Sequence, residues 1–282
     1  MPTIGSIAAS IFFVGGTGSM ADVLRSELAR GLRVQTRVIG ALILREMRVR
    51  FGRTQFGYLW AIVEPLAYVG LFSLMFHFMD RHPPFGRSMT LFFATGILPF
   101  LFFRNVVNQL TSAFKANQAL LAYPIVQPID TIMSRVILEV ATSFFVMLIV
   151  FATLTHIENV PAPSNIIKIF ESIALLMLIG VGYGLMSAVI TTRLESWANI
   201  SRLVMTPLMF LSGIFTPIDS LPTKVRGFVS WNPIIHGVEL FRDGYYVNFR
   251  NEQIDVAYLA VCGIMFLFLS LIMDRTVRAH ID

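Results

Sequence analysis

The chain has 282 residues, 55% of them hydrophobic and only 14% charged, with a formal charge of +5. Soluble domains carry about 45–50% apolar and about 25% charged residues, and a mean hydropathy of +0.70 would leave a soluble fold of this size with too much apolar surface in water. Cys262 is the sole cysteine, which excludes an intrachain disulfide framework.

Taken in chain order, residues 1–35 are expected to be a poorly ordered extension. Ile7–Gly16 is apolar but too short to span, no Lys or Arg precedes it as a secretory signal requires, and Met20 is the expected working start. Residues 36–56 form the next unit. Within it Ile39, Leu42, Ile43 and Met47 fall on one side of a helical wheel and Arg37, Arg45 and Arg48 on another, while Glu46 and Arg50 blur the pattern. The segment reads as a helix at the inner membrane surface, or as a solvated basic arm.

A crossing needs about 20 predominantly apolar residues, and the stretches 58–79, 89–110, 132–154, 172–192, 198–218 and 256–273 approach that, the fifth most weakly. They sit in a membrane unit over 57–275, followed by a short tail, 276–282. Eight of the 22 basic residues precede residue 54. In a soluble protein that would suggest nucleic acid, but in a membrane protein it marks the cytoplasmic side and puts both termini there. The inner loop 111–130 has room for a short helix around Phe114–Leu121, ended by Pro124. The outer stretch 219–255 holds two short helices. The first is capped by Asp219 or Ser220, with Pro222 in its first turn. The second opens at Pro233, and in it Ile234, Val238, Phe241 and Tyr245 share a face. They either dip into the outer leaflet or cover a pore mouth.

The chemistry of nucleotide and metal sites is missing from the sequence. Gly15-Gly16-Thr17-Gly18-Ser19 lacks the lysine of a phosphate-binding loop. His236 and Glu239 are too few ligands for a closed zinc site. The informative residues are charges inside spans, which are costly and so face a partner or a watery path. Glu64, Arg104, Arg135 and Glu139 are either ion pairs holding helices in register, or the lining of a polar conduit. The rings of Tyr68, Phe72 and Phe76, and of Phe92, Phe93, Phe100, Phe102 and Phe103, either pack against helices and lipid or offer faces for sugars. Tyr58 and Trp60 suit an interfacial belt.

The run from Leu44 to Trp60, with Arg45, Glu46, Arg48 and Arg50, followed by Glu64-Pro65, resembles the entry to the first span of ABC-2 type exporter permeases. It is most similar to the capsular polysaccharide export (group 2 capsule) subfamily. Ala116-Asn117-Gln118, Tyr123-Pro124 and Pro128-Ile129-Asp130 follow in the inner loop, then Trp231-Asn232-Pro233, His236, Val238-Glu239-Leu240 and Arg242 in the outer one. The resemblance covers about 36–278. It implies an all-α membrane protein with six transmembrane helices, an N-terminal amphipathic interface helix and two short re-entrant periplasmic helices before the last span. It also implies a homodimer working with two copies of a separate ATPase that binds the ATP and magnesium, so this chain carries no cofactor. Arg45, Arg48, Arg50, Phe114, Lys115, Asn117 and Tyr123 would contact the ATPase. Tyr58, Trp60, Glu64, Tyr68, Phe72, Arg104, Trp231, Asn232, His236, Glu239, Arg242 and Tyr245 are the candidates for lining a channel or gating it. The implied substrate is an acidic, lipid-linked polysaccharide crossing the Gram-negative inner membrane, handed on to a periplasmic adaptor and an outer-membrane pore. Rival readings are an O-antigen or teichoic acid permease, a polytopic enzyme of glycan assembly, and a membrane scaffold.

Overall fold

The computed structural model describes residues 20–52, 57–118, 127–247, 249 and 251–278. They build α1 (Met20–Phe51), α2 (Gly57–Phe78), α3 (Met89–Thr111), α4 (Ala113–Ala116), α5 (Pro128–Glu158), α6 (Ile166–Arg193), α7 (Trp197–Phe210), a 3-10 turn (Ile218–Ser220), α8 (Thr223–Val229), α9 (Pro233–Tyr245) and α10 (Val256–Arg278). No strand occurs among the described residues.

The bundle is built around α3. Ser88 caps it, its Oγ accepting from the Leu91 N–H at 2.9 Å. Apolar residues then occur on every face, and Phe92, Phe93, Phe100, Phe102 and Phe103 are all buried. A helix apolar all round belongs in the middle of a structure, so these rings are core rather than lipid-facing. α6 lies beside α3 and runs parallel to it. A Cβ on Gly180 would sit 3.1 Å from Val106 Cγ1, and one on Gly184 would sit 2.8 Å from Leu110 Cβ. On its other face α6 meets α10, which also runs parallel to it, Gly263 lying against Leu178 and Gly182 against Leu267, and a Cβ on Gly182 would sit 2.6 Å from the Leu267 backbone nitrogen. Small residues at such contacts let membrane helices approach to backbone distance. Gly182→Ala is therefore expected to lower the melting temperature of the purified protein, since overpacking costs about 1–3 kcal/mol. Gly40→Ala, on α1 with open space around it, is expected not to lower it.

Five helices among the described residues are long and apolar enough to cross a membrane: Leu59–Phe78, Met89–Thr111, Pro128–Glu158, Ile166–Arg193 and Val256–Arg275. The expected span 198–218 is not one of them. α7 has 14 residues, roughly 21 Å at about 1.5 Å per residue, and the helix stops at Phe210. Pro207 lies within its last turn, and Gly213 has φ +72°. Because α6 and α10 run parallel, the chain between them has to travel from one end of the bundle to the other, but it does so only partly as helix.

Other boundaries shift too. α1 begins at Met20, inside the segment expected to be poorly ordered, and residues 25–37 of it are solvent-exposed helix. Residues 1–19 lie outside the described part. α8 starts at Thr223 with Pro222 itself at the cap position, not Asp219 or Ser220. Among the described residues the inner-loop helix shows one turn, α4, and the rest of that expectation falls on residues 119–126, outside the described part. α9 opens at Pro233 as expected, and Ile234, Val238, Phe241 and Tyr245 are all buried.

Candidate functional site

Two clusters of polar groups lie at opposite ends of the bundle. At the α1 end, α1 crosses the first turns of α5. Gln35 Nε2 donates to Asp130 Oδ1 at 3.2 Å. Glu46 pairs with Arg135 at 2.8 Å, and Arg50 pairs with Glu139 at 2.6 Å. Arg135 also donates to the Gln109 carbonyl at 2.6 Å, tying both helices to the end of α3. The two ion pairs are one helical turn apart on each helix and opposite in polarity. A slip of one turn would set Glu46 against Glu139, or Arg50 against Arg135, so the arrangement permits one register. Glu46 and Arg50, which blurred the amphipathic pattern of α1, are the residues that define it. Their i,i+4 spacing, matched with reversed signs by Arg135 and Glu139, was the available signal.

Arg45 Nη2 donates to Asn117 Oδ1 at 2.8 Å, and Asn117 is buried. Phe114 packs against the core. Of the expected ATPase-contact residues, Arg45, Arg50 and Asn117 thus face other parts of the chain. Arg48 is exposed, as is Lys115, which pairs with Glu195 at 2.8 Å and holds that carboxyl below the usual glutamate range. Tyr123 lies outside the described residues. Further into the bundle Glu64 pairs with Arg104 at 2.5 Å, and the Arg104 guanidinium lies 5.5 Å from the Tyr68 ring centre. Glu64, Arg50 and Glu139 also border a polar cavity of about 50 Å³ with Asn105, Thr142 and Ser143, room for little more than water. Phe72 packs on Phe93 and Phe215, whereas Trp60 is exposed and the Tyr58 side chain is outside the described part.

The far end is organised by the broken crossing. Past the end of α7 at Phe210 the carbonyls of Leu211, Gly213 and Ile214 have no helical partners, and unsatisfied backbone is not tolerated away from water. Partners arrive from downstream. Asn232 donates to the Leu211 carbonyl at 3.0 Å and to Ser212 Oγ at 3.1 Å, while its own Oδ1 accepts from the Ile234 N–H and caps α9. Arg242, fully buried, donates through Nη1 to the Gly213 carbonyl at 2.5 Å and through Nη2 to the Ile214 carbonyl at 2.9 Å. Its guanidinium stacks 4.3 Å from the centre of the Phe92 ring and fits against Gly96, where a Cβ would come within 2.5 Å of Nη2. Glu239 supplies the countercharge at 3.3 Å and accepts from Asn251 Nδ2 at 3.0 Å. Burial pushes the Glu239 carboxyl upward, and Arg242 and Asn251 pull it back. Gly96, Gly213 and Asn251 were not singled out from the sequence, because their roles depend on partners from distant elements.

His236 is engaged at both nitrogens, Nε2 with the Ser230 carbonyl at 2.9 Å and Nδ1 accepting from the Asp255 N–H at 3.1 Å, which fixes the Nε2–H tautomer. Tyr245 packs on Phe151. Trp231, at the turn between α8 and α9, is exposed. No group of three or more metal-ligating side chains occurs among the described residues.

Glu46, Arg50, Asn117, Asn232, Glu239 and Arg242 thus join the resemblance's motifs into two intrachain constellations. The sequence model of the ABC-2 type transporter matches residues 37–246, a range that takes in both. The chain belongs to the ABC-2 type transporter family. It is a membrane transport subunit, not an enzyme. The permease is 33% identical over 250 residues to the polysialic acid transport protein KpsM of Escherichia coli, covering 87% of this chain and 95% of the relative. It is 30% identical over 258 residues to the capsule polysaccharide export inner-membrane protein BexB of Haemophilus influenzae, covering 92% and 97%. It is 29% identical over 252 residues to the capsule polysaccharide export inner-membrane protein CtrC of Neisseria meningitidis, covering 89% and 95%. The resemblance read from the motifs is borne out at family level and in its lean toward capsule export.

Proposed function

We propose that this permease moves capsular polysaccharide, acidic and lipid-linked, across the inner membrane of a Gram-negative cell. The observation that carries the reading is the near full-length similarity to relatives named for capsule polysaccharide export. α1 and both termini lie on the cytoplasmic side in this reading, in line with the basic residues before residue 54. α7 and the non-helical residues after it make a sixth crossing, and α8 and α9 re-enter from the periplasmic face.

The working unit is a homodimer with two ATPase copies, which bind the ATP and magnesium. It passes polymer to a periplasmic adaptor and an outer-membrane pore. Packing supports two copies. α3 fills the middle of the bundle, so a polymer has to run along an outer face, and a second copy encloses such a path. α2 offers one, with Trp60, Leu71, Leu74 and Phe78 all exposed. The exposed Arg48 and Lys115 are the cations best placed for the ATPase.

Deletion of the gene is expected to leave capsule polymer accumulating inside the cell, seen by immunogold labelling with anti-capsule antibody. Loss of polymer synthesis would instead place the chain in glycan assembly and reject export.

A further inference from the structure

Beside the turn between α8 and α9 lies an open notch of about 310 Å³, walled by Ser230, Trp231, His236, Gln253, Asp255 and Tyr258. That volume is at the lower end of the range for small-ligand pockets, about 300–1,000 Å³. The Trp231 side chain is 80% exposed, more than any other large apolar side chain among the described residues. A ring so exposed in a membrane protein commonly serves as an anchor at the headgroup level. Here its neighbours are an amide, a carboxylate, a serine, a histidine and a phenol.

The platform is also held still. Tyr258 Oη donates to the Trp231 carbonyl at 2.8 Å, and the Asn232 N–H donates to the Val229 carbonyl at 3.0 Å. Not every polar group of the notch is available. Both nitrogens of His236 are engaged, and the Tyr258 proton is given to Trp231. Asp255 Oδ1 accepts from the Tyr258 N–H at 2.8 Å and caps α10. That leaves the second Asp255 oxygen and the Gln253 side-chain amide, neither with a hydrogen-bond partner among the described residues. A carboxylate oxygen accepts, and an amide both donates and accepts. The flat indole face is electron-rich and attracts the slightly positive C–H groups of an apolar ring face.

We propose that this notch is a sugar-binding subsite. It takes the uncharged, hydroxyl-bearing side of one pyranose unit, with Trp231 as the stacking platform and Asp255 and Gln253 reading hydroxyls. Among the described residues no lysine or arginine lines the notch, so the Asp255 carboxylate there repels an acidic sugar's carboxylate rather than pairing with it. The inference rests on reading the chain as a glycan exporter, and it adds a place where the polymer is held and a part of the sugar that is read.

The test is direct binding of fluorescent end-labelled maltoheptaose to the purified full-length chain, with oligosialic acid of equal length as the acidic probe. W231A and D255N are suitable variants. The Trp231 side chain is exposed, and asparagine keeps the oxygen that caps α10. Maltoheptaose is expected to bind the unaltered chain more tightly than oligosialic acid does. W231A and D255N are each expected to weaken maltoheptaose binding at least tenfold, and D255N is expected to narrow the gap between the probes. Absence of maltoheptaose binding by the unaltered chain, or unchanged binding by W231A, overturns the subsite. Capsule export restored to a deletion strain by a chain that binds no maltoheptaose rejects the subsite and leaves the export function standing. A deletion strain with no export defect rejects the function instead.

Discussion

Replacing Arg242 by alanine is expected to leave little folded protein in the membrane. The guanidinium is buried, serves two carbonyls freed by the end of α7, and faces an equally buried Glu239. Its removal strands that carboxylate and unpairs both carbonyls. Breaking one side of a buried pair costs about 3–5 kcal/mol, a large share of the roughly 5–15 kcal/mol that holds a typical domain together. Lysine keeps the charge but not the planar fork that reaches Gly213 and Ile214 together, so R242K is expected to fall between R242A and the unaltered chain. E239Q should be milder than R242A, because the Arg242 fork keeps its carbonyl partners. The measurements are the amount of chain in the membrane fraction and the melting temperature of what can be purified. R242A accumulating normally, with an unchanged melting temperature, would show that the crossing after α7 does not depend on this side chain.

The second large effect concerns the ladder between α1 and α5. R50E sets like charges together around a buried Glu139 and is expected to cost about 3 kcal/mol, with loss of export. E139R alone should do the same through Arg50 and the nearby Arg135. The double exchange R50E/E139R restores the attraction, and its recovery of membrane level and export is the outcome to look for. If the double variant is no better than the singles added together, the pair is incidental and register is set by the apolar contacts of Leu42 and Met47. The double-mutant cycle isolates the pairwise contribution, because the remaining contacts of each residue cancel.

The long helices were legible because composition alone decides them: about twenty apolar residues make a membrane span wherever they pack. α9 was legible for a different reason. Pro233 fixes its start, and Ile234, Val238, Phe241 and Tyr245 keep a helical spacing. The helical extent of the fifth expected span, 198–218, was overread because a hydropathy window counts apolar residues and cannot see what the backbone bonds to. Between Leu203 and Ile218 the residues are apolar enough, yet the helix ends at Phe210, and Asn232 and Arg242 offer partners to the carbonyls that follow it. The ATPase-facing set was partly displaced for a related reason. A basic residue on an amphipathic helix looks available until the opposite helix presents an acid or an amide, as α5 does to Arg50 and Asn117 does to Arg45. The far-end notch involves Gln253 and Asp255, which in sequence belong to an unremarked link before α10.

α5 has 31 residues, roughly 46 Å at about 1.5 Å per residue, with no proline within its length beyond the first position. At one end it is bolted to α1 by two ion pairs. At the other, Glu158 accepts a hydrogen bond from Ser88, the residue that caps α3. A stiff rod fastened at both ends transmits displacement and does not absorb it. A sideways load on α1 therefore arrives at the opposite rim of the bundle, where α3 begins and Arg242 rests on the Phe92 ring.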